Sequence, residues 1–121
     1  MRRKIFIGAF VLALAGFCTI VSAGERKLTG DEIKTALNGK TVVGTNDSGI
    51  QWKQSFNENG GTLYELTGAG PQNGYWEVRG DQFCSQWPPD AAWVCYDMTG
   101  ENDSVTFISD SGKLWPSKVL P

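Results

Sequence analysis

The chain has 121 residues, with 11 lysines and arginines, 13 aspartates and glutamates, and no histidine. Three of the cations are Arg2, Arg3 and Lys4, so the remainder has 8 basic and 13 acidic residues and a net charge of −5. An acidic chain without a run of lysine or arginine repels nucleic acid and anionic lipid, so a neutral ligand or a basic protein is the better partner prediction. The missing histidine removes the commonest general base and metal ligand.

The N-terminus predicts a secretory signal peptide over residues 1–23. A basic opening is followed by an apolar run and by small residues that end at Ala23, which is the pattern of a cleavable signal. A retained membrane anchor is the alternative, because a run of about 17 apolar or small residues is near the lower limit for crossing a bilayer. Cys18 follows the bulky Phe17 and is expected to leave with the signal, without lipid attachment. We therefore expect a periplasmic or secreted protein with no stable membrane anchor.

The mature chain, 24–121, is expected to form a single domain that needs covalent support. A chain of this size buries only about 60 to 70% of its unfolded surface. Cys84 and Cys95 remain after signal cleavage, and in an exported protein they predict a disulfide. Their spacing is not C-x-x-C, so a redox motif is excluded. If they pair directly across a hairpin, the facing pairs are Phe83 and Tyr96, Ser85 and Val94, and Gln86 and Trp93.

One helix is predicted near the start of this domain, in LTGDEIKTALNGK. Thr29 and Glu32 have the spacing of a capping box, and Leu28 is placed to pack on Ile33 as a hydrophobic staple. Apolar residues recur on one face, and the Asn-Gly pair that follows is the expected stop. The pattern predicts a short amphipathic helix, about 30–38, that covers an apolar surface.

The rest of the chain predicts an antiparallel meander. Short apolar or aromatic runs recur roughly every 8 to 12 residues, separated by turn segments such as NDSG, NENGG, RGD and SDSG. Eight such strands leave no open edge if the sheet closes, so a small barrel or curled sheet is favoured over a flat two-layer sandwich. The predicted strands are about 40–45, 50–56, 61–67, 74–79, 82–87, 92–98, 104–109 and 113–119.

Alternation within the strands predicts which side chains face the interior. Gln54 falls among them, and we expect it to bond to another polar group or to water. Barrels of about eight strands either fill with side chains or hold one small molecule, and the sequence leaves both open. The predicted inner residues are Ile50, Trp52, Phe56, Tyr64, Leu66, Trp76, Val78, Phe83, Val94, Tyr96, Met98, Val105, Phe107 and Leu114.

The segment between the cysteines ends in the tip WPPDAAW, which is more aromatic than a simple cross-link requires. Pro88 and Pro89 stiffen the tip, Trp87 is predicted at the rim, and the register places Trp93 on the face opposite the core. Rigid loops with exposed indoles are typical of binding hot spots. Trp87 and Trp93 are therefore candidate partner-binding residues. The alternative is that they pack on the helix or on Trp115.

No catalytic residue, metal site or cofactor is predicted. No serine has a recognisable base nearby, and the cysteines are expected to pair, so nucleophilic catalysis is not expected. Asp97, Glu101, Asp103 and Asp110 invite comparison with a glycosidase pair or a calcium site. However, a domain this small offers no long substrate cleft, and the chain contains no D-x-D-x-D-G loop. The RGD triplet is expected to be a hairpin turn bent at Gly80, not an adhesion motif.

The order of motifs along the mature chain resembles a family of small exported Gram-negative bacterial proteins of unknown function. The resemblance implies a small lipocalin-like β-barrel in the periplasm and no established activity. The chain has Tyr96 after the second cysteine, where the family pattern has tryptophan. The matching positions are Gly39, Lys40, Thr41, Val42, Trp52, Phe56, Gly60, Gly74, Trp76, Val78, Cys84 and Cys95.

Two functions are predicted as alternatives, both for a monomer and neither enzymatic. The first is an interaction module that binds or inhibits a basic envelope protein, such as a lysozyme, through the 87–93 tip and the acidic late hairpins that include Asp103. The second is a lipocalin-like carrier of a small apolar or aromatic ligand. A structural or stress protein without a discrete site is a third possibility. The candidate ligand-binding residues of the carrier are Trp52, Tyr64, Trp76 and Tyr96.

Overall fold

The structure, a computed structural model, describes residues 25–121. The predicted signal peptide, 1–23, and its Cys18 lie outside the described residues. Over the described range no helix has both the length and the apolar character that a bilayer crossing requires.

The described chain consists of nine strands and one helix. The eight predicted strands are confirmed as β2 to β9, although β5 begins earlier and β7 runs further than predicted. The two-residue β1 was not predicted, because it is too short to show alternation. The elements are β1 (Arg26–Lys27), α1 (Gly30–Leu37), β2 (Thr41–Thr45), β3 (Gln51–Phe56), β4 (Gly61–Leu66), β5 (Gln72–Arg79), β6 (Gln82–Gln86), β7 (Trp93–Glu101), β8 (Ser104–Ile108) and β9 (Leu114–Val119).

The sheet closes into an eight-stranded antiparallel barrel. Each strand from β2 to β8 pairs with the next one along the chain, and β9 returns to pair with β2. The short β1 lies outside this circuit, where it pairs with Thr99 and Gly100 near the end of β7. A closed meander leaves none of the eight strands with a free edge. The barrel prediction is therefore confirmed, and the flat sandwich is excluded.

The predicted helix and its cap are confirmed. The backbone N–H of Thr29 donates to the Glu32 carboxylate over 2.9 Å, and the backbone N–H of Glu32 donates to the Thr29 hydroxyl over 3.3 Å. Both partners of the predicted staple, Leu28 and Ile33, are buried in the same apolar cluster. Beyond α1, Gly39 adopts a φ of 73°, a left-handed conformation that favours glycine. The local sequence signals therefore set both ends of the helix.

The RGD triplet forms the turn between β5 and β6, and this turn seats the helix. Gly80 has a φ of 59° at the bend, as predicted. The Asp81 carboxylate accepts a 2.7 Å hydrogen bond from the backbone N–H of Gly30, the first residue of α1. A side chain at Gly30 would meet the carbonyl of Gly80, since a Cβ there would lie 2.2 Å from that oxygen. The triplet thus has a structural role at the N-terminus of the helix.

The helix closes one end of the barrel and completes a dense apolar core there. Phe56 packs edge-on against Trp76 and Phe83, with ring centroids 5.4 and 5.6 Å apart. Interiors packed this closely have almost no space for a further molecule. The side chains that are fully buried in this half are Ile33, Leu37, Val42, Phe56 and Met98.

The disulfide and the hairpin register around it are confirmed. Cys84 and Cys95 are bonded and lie directly opposite each other on β6 and β7. The flanking pairs are those expected: Phe83 with Tyr96, Ser85 with Val94, and Gln86 with Trp93. Because opposed residues in a ladder share a face, this register fixes which side chains of the hairpin line the interior.

Three residues predicted to face the core are exposed instead. Ile50, Val94 and Leu114 have exposures of 38%, 46% and 57%. All three lie at the end of the barrel away from the helix: Ile50 precedes β3, and the other two lie at the start of their strands. For Leu114 the predicted inward direction was also wrong, since its neighbour Trp115 is the residue that packs on the core. The prediction failed at the open end, where the apolar alternation of the sequence continues although the interior is no longer covered.

Candidate ligand-binding cavity

The barrel has a closed end and an open end. The helix covers the closed end, whereas the loops 46–50, 67–71, 87–92 and 109–113 surround the open end. Inside the open half lies a cavity of about 240 Å³. Its walls are formed by Trp52, Gln54, Tyr64, Gln72, Phe83, Ser85, Trp87, Tyr96, Phe107 and Trp115.

Aromatic rings form two opposing walls of this cavity. Tyr64 lies between Trp52 and Trp87, with ring centroids 6.0 and 6.2 Å away. On the other wall, Tyr96 and Phe107 approach edge to face at 6.4 Å. Trp52 and Tyr64 belong to β3 and β4, which lie four strands from β7 and β8 around the barrel. The two walls therefore face each other, as a site for a flat molecule requires.

Phe83 forms the floor that separates the cavity from the filled half. Its ring lies 5.6 Å from Phe56 and 6.3 Å from Trp76 on the closed side, and 5.3 Å from Phe107 on the cavity side. Trp76 lies below this floor, where its indole N–H donates to the carbonyl of Asn57 over 2.9 Å. Of the four candidate ligand-binding residues, the structure thus brings Trp52, Tyr64 and Tyr96 together and leaves Trp76 in the core.

Two glycines give two of the tryptophans their positions. A Cβ on Gly44 would lie 2.5 Å from the ring of Trp52, and a Cβ on Gly74 would lie 2.6 Å from the ring of Trp87. Each indole therefore lies directly against a strand backbone that only glycine leaves bare. The wall is built in advance, since these rings are held by the barrel and need no ligand to orient them.

The polar groups of the cavity are partly satisfied by one another. The side-chain amide of Gln54 donates to the hydroxyl of Thr62 over 2.9 Å, as its inward position led us to expect. The indole N–H of Trp87 donates to the hydroxyl of Ser85 over 3.2 Å. The indole N–H of Trp52, by contrast, is buried and has no hydrogen-bond partner among the described residues. Buried polar groups are rarely left unpaired, so this one requires an explanation.

No lysine, arginine, aspartate or glutamate lies among the residues that line the cavity. Burial raises the pKa of Tyr64 and of Tyr96 above the ordinary value of 10.0. The cause is desolvation, which disfavours the charged phenolate in both cases. The cavity is therefore a neutral environment that opposes negative charge.

An ion pair joins two of the loops at the mouth. The Lys113 ammonium bonds to the Asp47 carboxylate over 2.5 Å and lies 4.5 Å from the centre of the Trp115 ring. This contact connects the loop before β3 to the loop before β9. It places the Lys113 cation at the entrance, outside the set of residues that line the cavity.

The candidate partner-binding residues lie in three different environments. Trp87 turns into the cavity wall, whereas Trp93 lies on the outer surface, with the Arg79 guanidinium 4.7 Å from its ring centre. Asp103 is exposed in the turn after β7, at the closed end. The eight steps between the nine residues of β7 separate the ends by roughly 26 Å at ~3.3 Å per residue. A single partner would have to span the length of the barrel to contact both Trp93 and Asp103.

The carboxylates of the late hairpins are distributed along the barrel. Hydrogen bonds from Lys27 and Gln82 hold the pKa of Asp97 below its ordinary value of 3.8. Glu101 and Asp103 lie at the closed end, whereas Asp110 lies in a loop at the open end. Within residues 25–121, no three cysteine, aspartate or glutamate side chains cluster as metal ligands do.

Several cavity residues were not predicted as ligand-binding. Ser85, Gln72 and Trp115 line the cavity although none was a candidate for any site. The signal for Ser85 was present, because it follows Phe83 at a spacing of two and opposes Val94. The signal for Trp115 was also present, because an inward-facing Leu114 would place Pro116, two residues further on, inside the barrel as well. Neither signal indicates a cavity, which depends on how eight strands close.

No family model, no curated protein and no solved structure matches the chain. What the structure shows is a small eight-stranded antiparallel β-barrel, cross-linked by one disulfide and closed at one end by a helix.

Proposed function

We propose that the protein binds one small neutral, apolar or aromatic molecule inside the open half of its barrel, as a carrier or scavenger. The observation that carries the proposal is the 240 Å³ cavity, which is walled by aromatic rings and lined by no charged side chain. An apolar cavity of about 150 Å³ is enough to bind benzene, so this one has room for a larger ring system. Ligand sites typically combine apolar walls with a few fixed polar groups, as this one does.

The location that fits this function is the periplasm or the extracellular space. The disulfide supports it, because such bonds persist in oxidising compartments. The resemblance to small exported lipocalin-like proteins agrees with the same reading. A carrier in that compartment would meet apolar molecules that cross the cell envelope.

The test is a titration of the exported protein, purified as the cell produces it, with naphthalene as a neutral aromatic probe. Saturation-transfer NMR and calorimetry should both report binding at a single site. Ser85→Phe should abolish it, because Ser85 is buried in the cavity wall and the new ring would occupy the space. Lys53→Phe adds the same ring at an exposed position on β3 and should leave binding unchanged. Equal affinity in the wild type and in Ser85→Phe would contradict the proposal.

A further inference from the structure

Gln54 is a polar side chain placed deep inside the cavity. It faces the interior from β3 and stands opposite Val42, one of the fully buried residues of the core. Its neighbour Lys53 points outward and is exposed, so the accessible part of the half-buried Gln54 side chain is reached through the cavity. A free polar atom of Gln54 is therefore available to a molecule inside the barrel.

A chain of hydrogen bonds fixes which end of the Gln54 amide remains free. The Thr62 hydroxyl donates its single proton to the carbonyl of Ser55 over 2.7 Å. The same hydroxyl can therefore only accept from Gln54, which requires the amide nitrogen to lie at their 2.9 Å contact. Thr62 is buried in the barrel wall, so the nitrogen is held against that wall. The carbonyl oxygen is the end of the amide that is left to the cavity.

This oxygen can be reached from the cavity, unlike the indole nitrogen of Trp52. The Trp52 nitrogen is the one buried side-chain polar atom without a partner among the described residues, and the ring to which it belongs lies against the backbone of Gly44. The Gln54 oxygen also accepts no hydrogen bond from the described chain, but it is not buried in this way. A donor on a bound molecule can therefore reach Gln54.

The other free polar groups of the cavity do not discriminate between ligands in the same way. The hydroxyls of Tyr64 and Tyr96 can donate or accept, so they adapt to either kind of partner. Gln72 lies at the exposed start of β5, where water can serve its amide. A carbonyl oxygen can accept but cannot donate, so it favours a ligand with an N–H or O–H group. A ligand without one would displace water from this oxygen and leave it unpaired, which costs free energy.

We infer that the natural ligand is a neutral aromatic molecule with an N–H or O–H group, and that the Gln54 carbonyl oxygen recognises this group. Thr62 is a positioning residue, since it holds the amide in the orientation that presents the oxygen. This inference rests on the proposed function and specifies the chemical class of its ligand. The aromatic walls contact the ring, and a lining without charged side chains excludes an ionised molecule.

Three bicyclic probes of nearly the same shape test the inference by calorimetry on the exported protein. Indole, indene and benzofuran carry an N–H donor, a CH₂ group and an acceptor oxygen at the same ring position. Water hydrates the three compounds differently, so the deciding quantity is the change of each affinity ratio between the wild type and a variant.

Gln54→Met keeps the length of the side chain and removes the amide. It should lower the indole-to-indene affinity ratio by about three- to tenfold, which is the range of one net hydrogen bond. The benzofuran-to-indene ratio should not fall, because a ring oxygen gains nothing from a carbonyl. Benzofuran thereby also tests whether the second N–H of the amide is the recognising group instead.

Thr62→Val and Thr62→Ser test the orientation of the amide. Valine has the shape of threonine but cannot accept from Gln54, so the amide is free to turn. The indole-to-indene ratio should fall in Thr62→Val, by less than in Gln54→Met. Serine retains the hydroxyl, so Thr62→Ser should keep the wild-type ratio. A merely structural role of Thr62 would change the three affinities alike and leave the ratios unmoved.

Wild-type protein labelled with ¹³C provides a readout that requires no variant to fold. The side-chain carbonyl carbon of Gln54 should shift further downfield with indole than with indene, since both probes place a similar ring beside it and only indole donates. Gln82 bonds to Asp97 on the outer face of the barrel and serves as the internal control. Its carbonyl carbon should shift with neither probe.

The outcomes separate the inference from the function on which it rests. If none of the three probes binds, the carrier function itself is wrong. If they bind but Gln54→Met leaves the indole-to-indene ratio unchanged, or lowers the benzofuran-to-indene ratio as much, the carrier function stands and the inferred ligand class is overturned. Equal shifts of the Gln54 carbonyl carbon with indole and indene would overturn the assigned role of Gln54. An unchanged ratio in Thr62→Val would overturn that of Thr62.

Discussion

The two halves of the barrel are built from the same strands, yet one is filled and the other hollow. In the closed half, helix α1 supplies Ile33 and Leu37, which meet Phe56 and Met98 with no exposed surface. The open half receives no such plug, and its rings lie against the walls instead of crossing the interior. The helix, not the barrel, therefore decides which half is core and which half is available to a ligand.

The glycines show how the open half is kept hollow. Gly44 and Gly74 allow Trp52 and Trp87 to lie directly against neighbouring strands, where a Cβ would lie 2.5 and 2.6 Å from the two rings. In the closed half, by contrast, Phe56 projects into the centre and is met edge-on by Trp76 and Phe83. Ring orientation, more than ring number, distinguishes a cavity from a packed core.

The largest expected effect is a loss of stability on opening a void in the closed half. Leu37→Ala removes a fully buried side chain and should lower the free energy of unfolding by about 2 to 5 kcal/mol. Tyr64→Ala, in the half that already contains a cavity, should cost clearly less and should weaken probe binding instead. Urea unfolding of both variants checks the comparison. A larger loss from Tyr64→Ala than from Leu37→Ala would contradict the division into core and site.

The disulfide should have the next largest effect, and it should act on both halves together. Replacing Cys84 and Cys95 with serine frees a loop of about a dozen residues, which corresponds to about 3 kcal/mol through the unfolded state. Urea unfolding with and without reductant provides the measurement. Reductant should destabilise the wild type and leave the double variant unchanged. Because the register holds Tyr96 opposite Phe83 without the bond, probe affinity should survive wherever the variant remains folded.

A glycine substitution should then separate the wall from the fold. Gly74→Ala brings a methyl group against the Trp87 ring and the Gln86 carbonyl, and it should cost about 1 to 3 kcal/mol. It should also release Trp87 into water, which a red shift of tryptophan fluorescence would report. The matched control is Gly70→Ala, because no atom lies within 4 Å of a Cβ at Gly70. If the two variants behave alike, Trp87 is not held by Gly74.

A feature could be predicted from the sequence when it depends on residues that are close together along the chain. The helix cap and the β6–β7 register were predictable, because Thr29 and Glu32 are three residues apart and two cysteines fix one hairpin. The position of Trp87 was not predictable, since it depends on Gly74 on another strand. The inward-facing residue of β9 was mispredicted for a similar reason, because Leu114 and Trp115 are adjacent apolar residues and either could face the interior. Only pairing with β8 places Trp115 beside Phe107 and therefore inside.

The emptiness of the open half was beyond sequence analysis for a further reason. The aromatic composition of the interior is the same whether the rings cross the space or line it. Predicting the cavity requires the direction of each ring, which is set by neighbours far apart along the chain. The sequence therefore predicted Trp52, Tyr64 and Tyr96 as an interior group, but it left the choice between a filled and a hollow barrel open.

A smaller effect is expected on the outer surface, where the partner-binding prediction can be tested apart from the cavity. If the interaction hypothesis holds, Trp93→Ala and Asp103→Lys should each weaken capture of a basic hydrolase such as lysozyme, and the second should slow association most at low salt. The two sites lie far apart, so their effects should be additive. Neither variant should alter affinity for naphthalene. Unchanged lysozyme binding in the combined variant would remove the interaction hypothesis and leave the carrier hypothesis intact.

The smallest effect concerns pH and again distinguishes the two ends. At the closed end, hydrogen bonds from Arg26 and from the Thr29 backbone lower the pKa of Glu32 from 4.5 to about 2. A carboxyl whose pKa is depressed on folding stabilises the folded state above its unfolded pKa. That contribution is lost as pH falls from about 4.5 towards 2.

Thermal unfolding between pH 6 and pH 2 measures this loss through the variant Glu32→Gln. Glutamine can still serve the capping box but carries no charge. The difference in melting temperature between the variant and the wild type should therefore narrow as pH falls through that window. Arg26→Gln removes the other member of the ion pair, and its difference in melting temperature from the wild type should narrow over the same pH range. Probe binding should stay constant from pH 6 to pH 9, because tyrosines with raised pKa values are the only titrating groups in the cavity wall. Parallel melting profiles for Glu32→Gln and the wild type would show that the ion pair does not anchor the helix that closes the barrel.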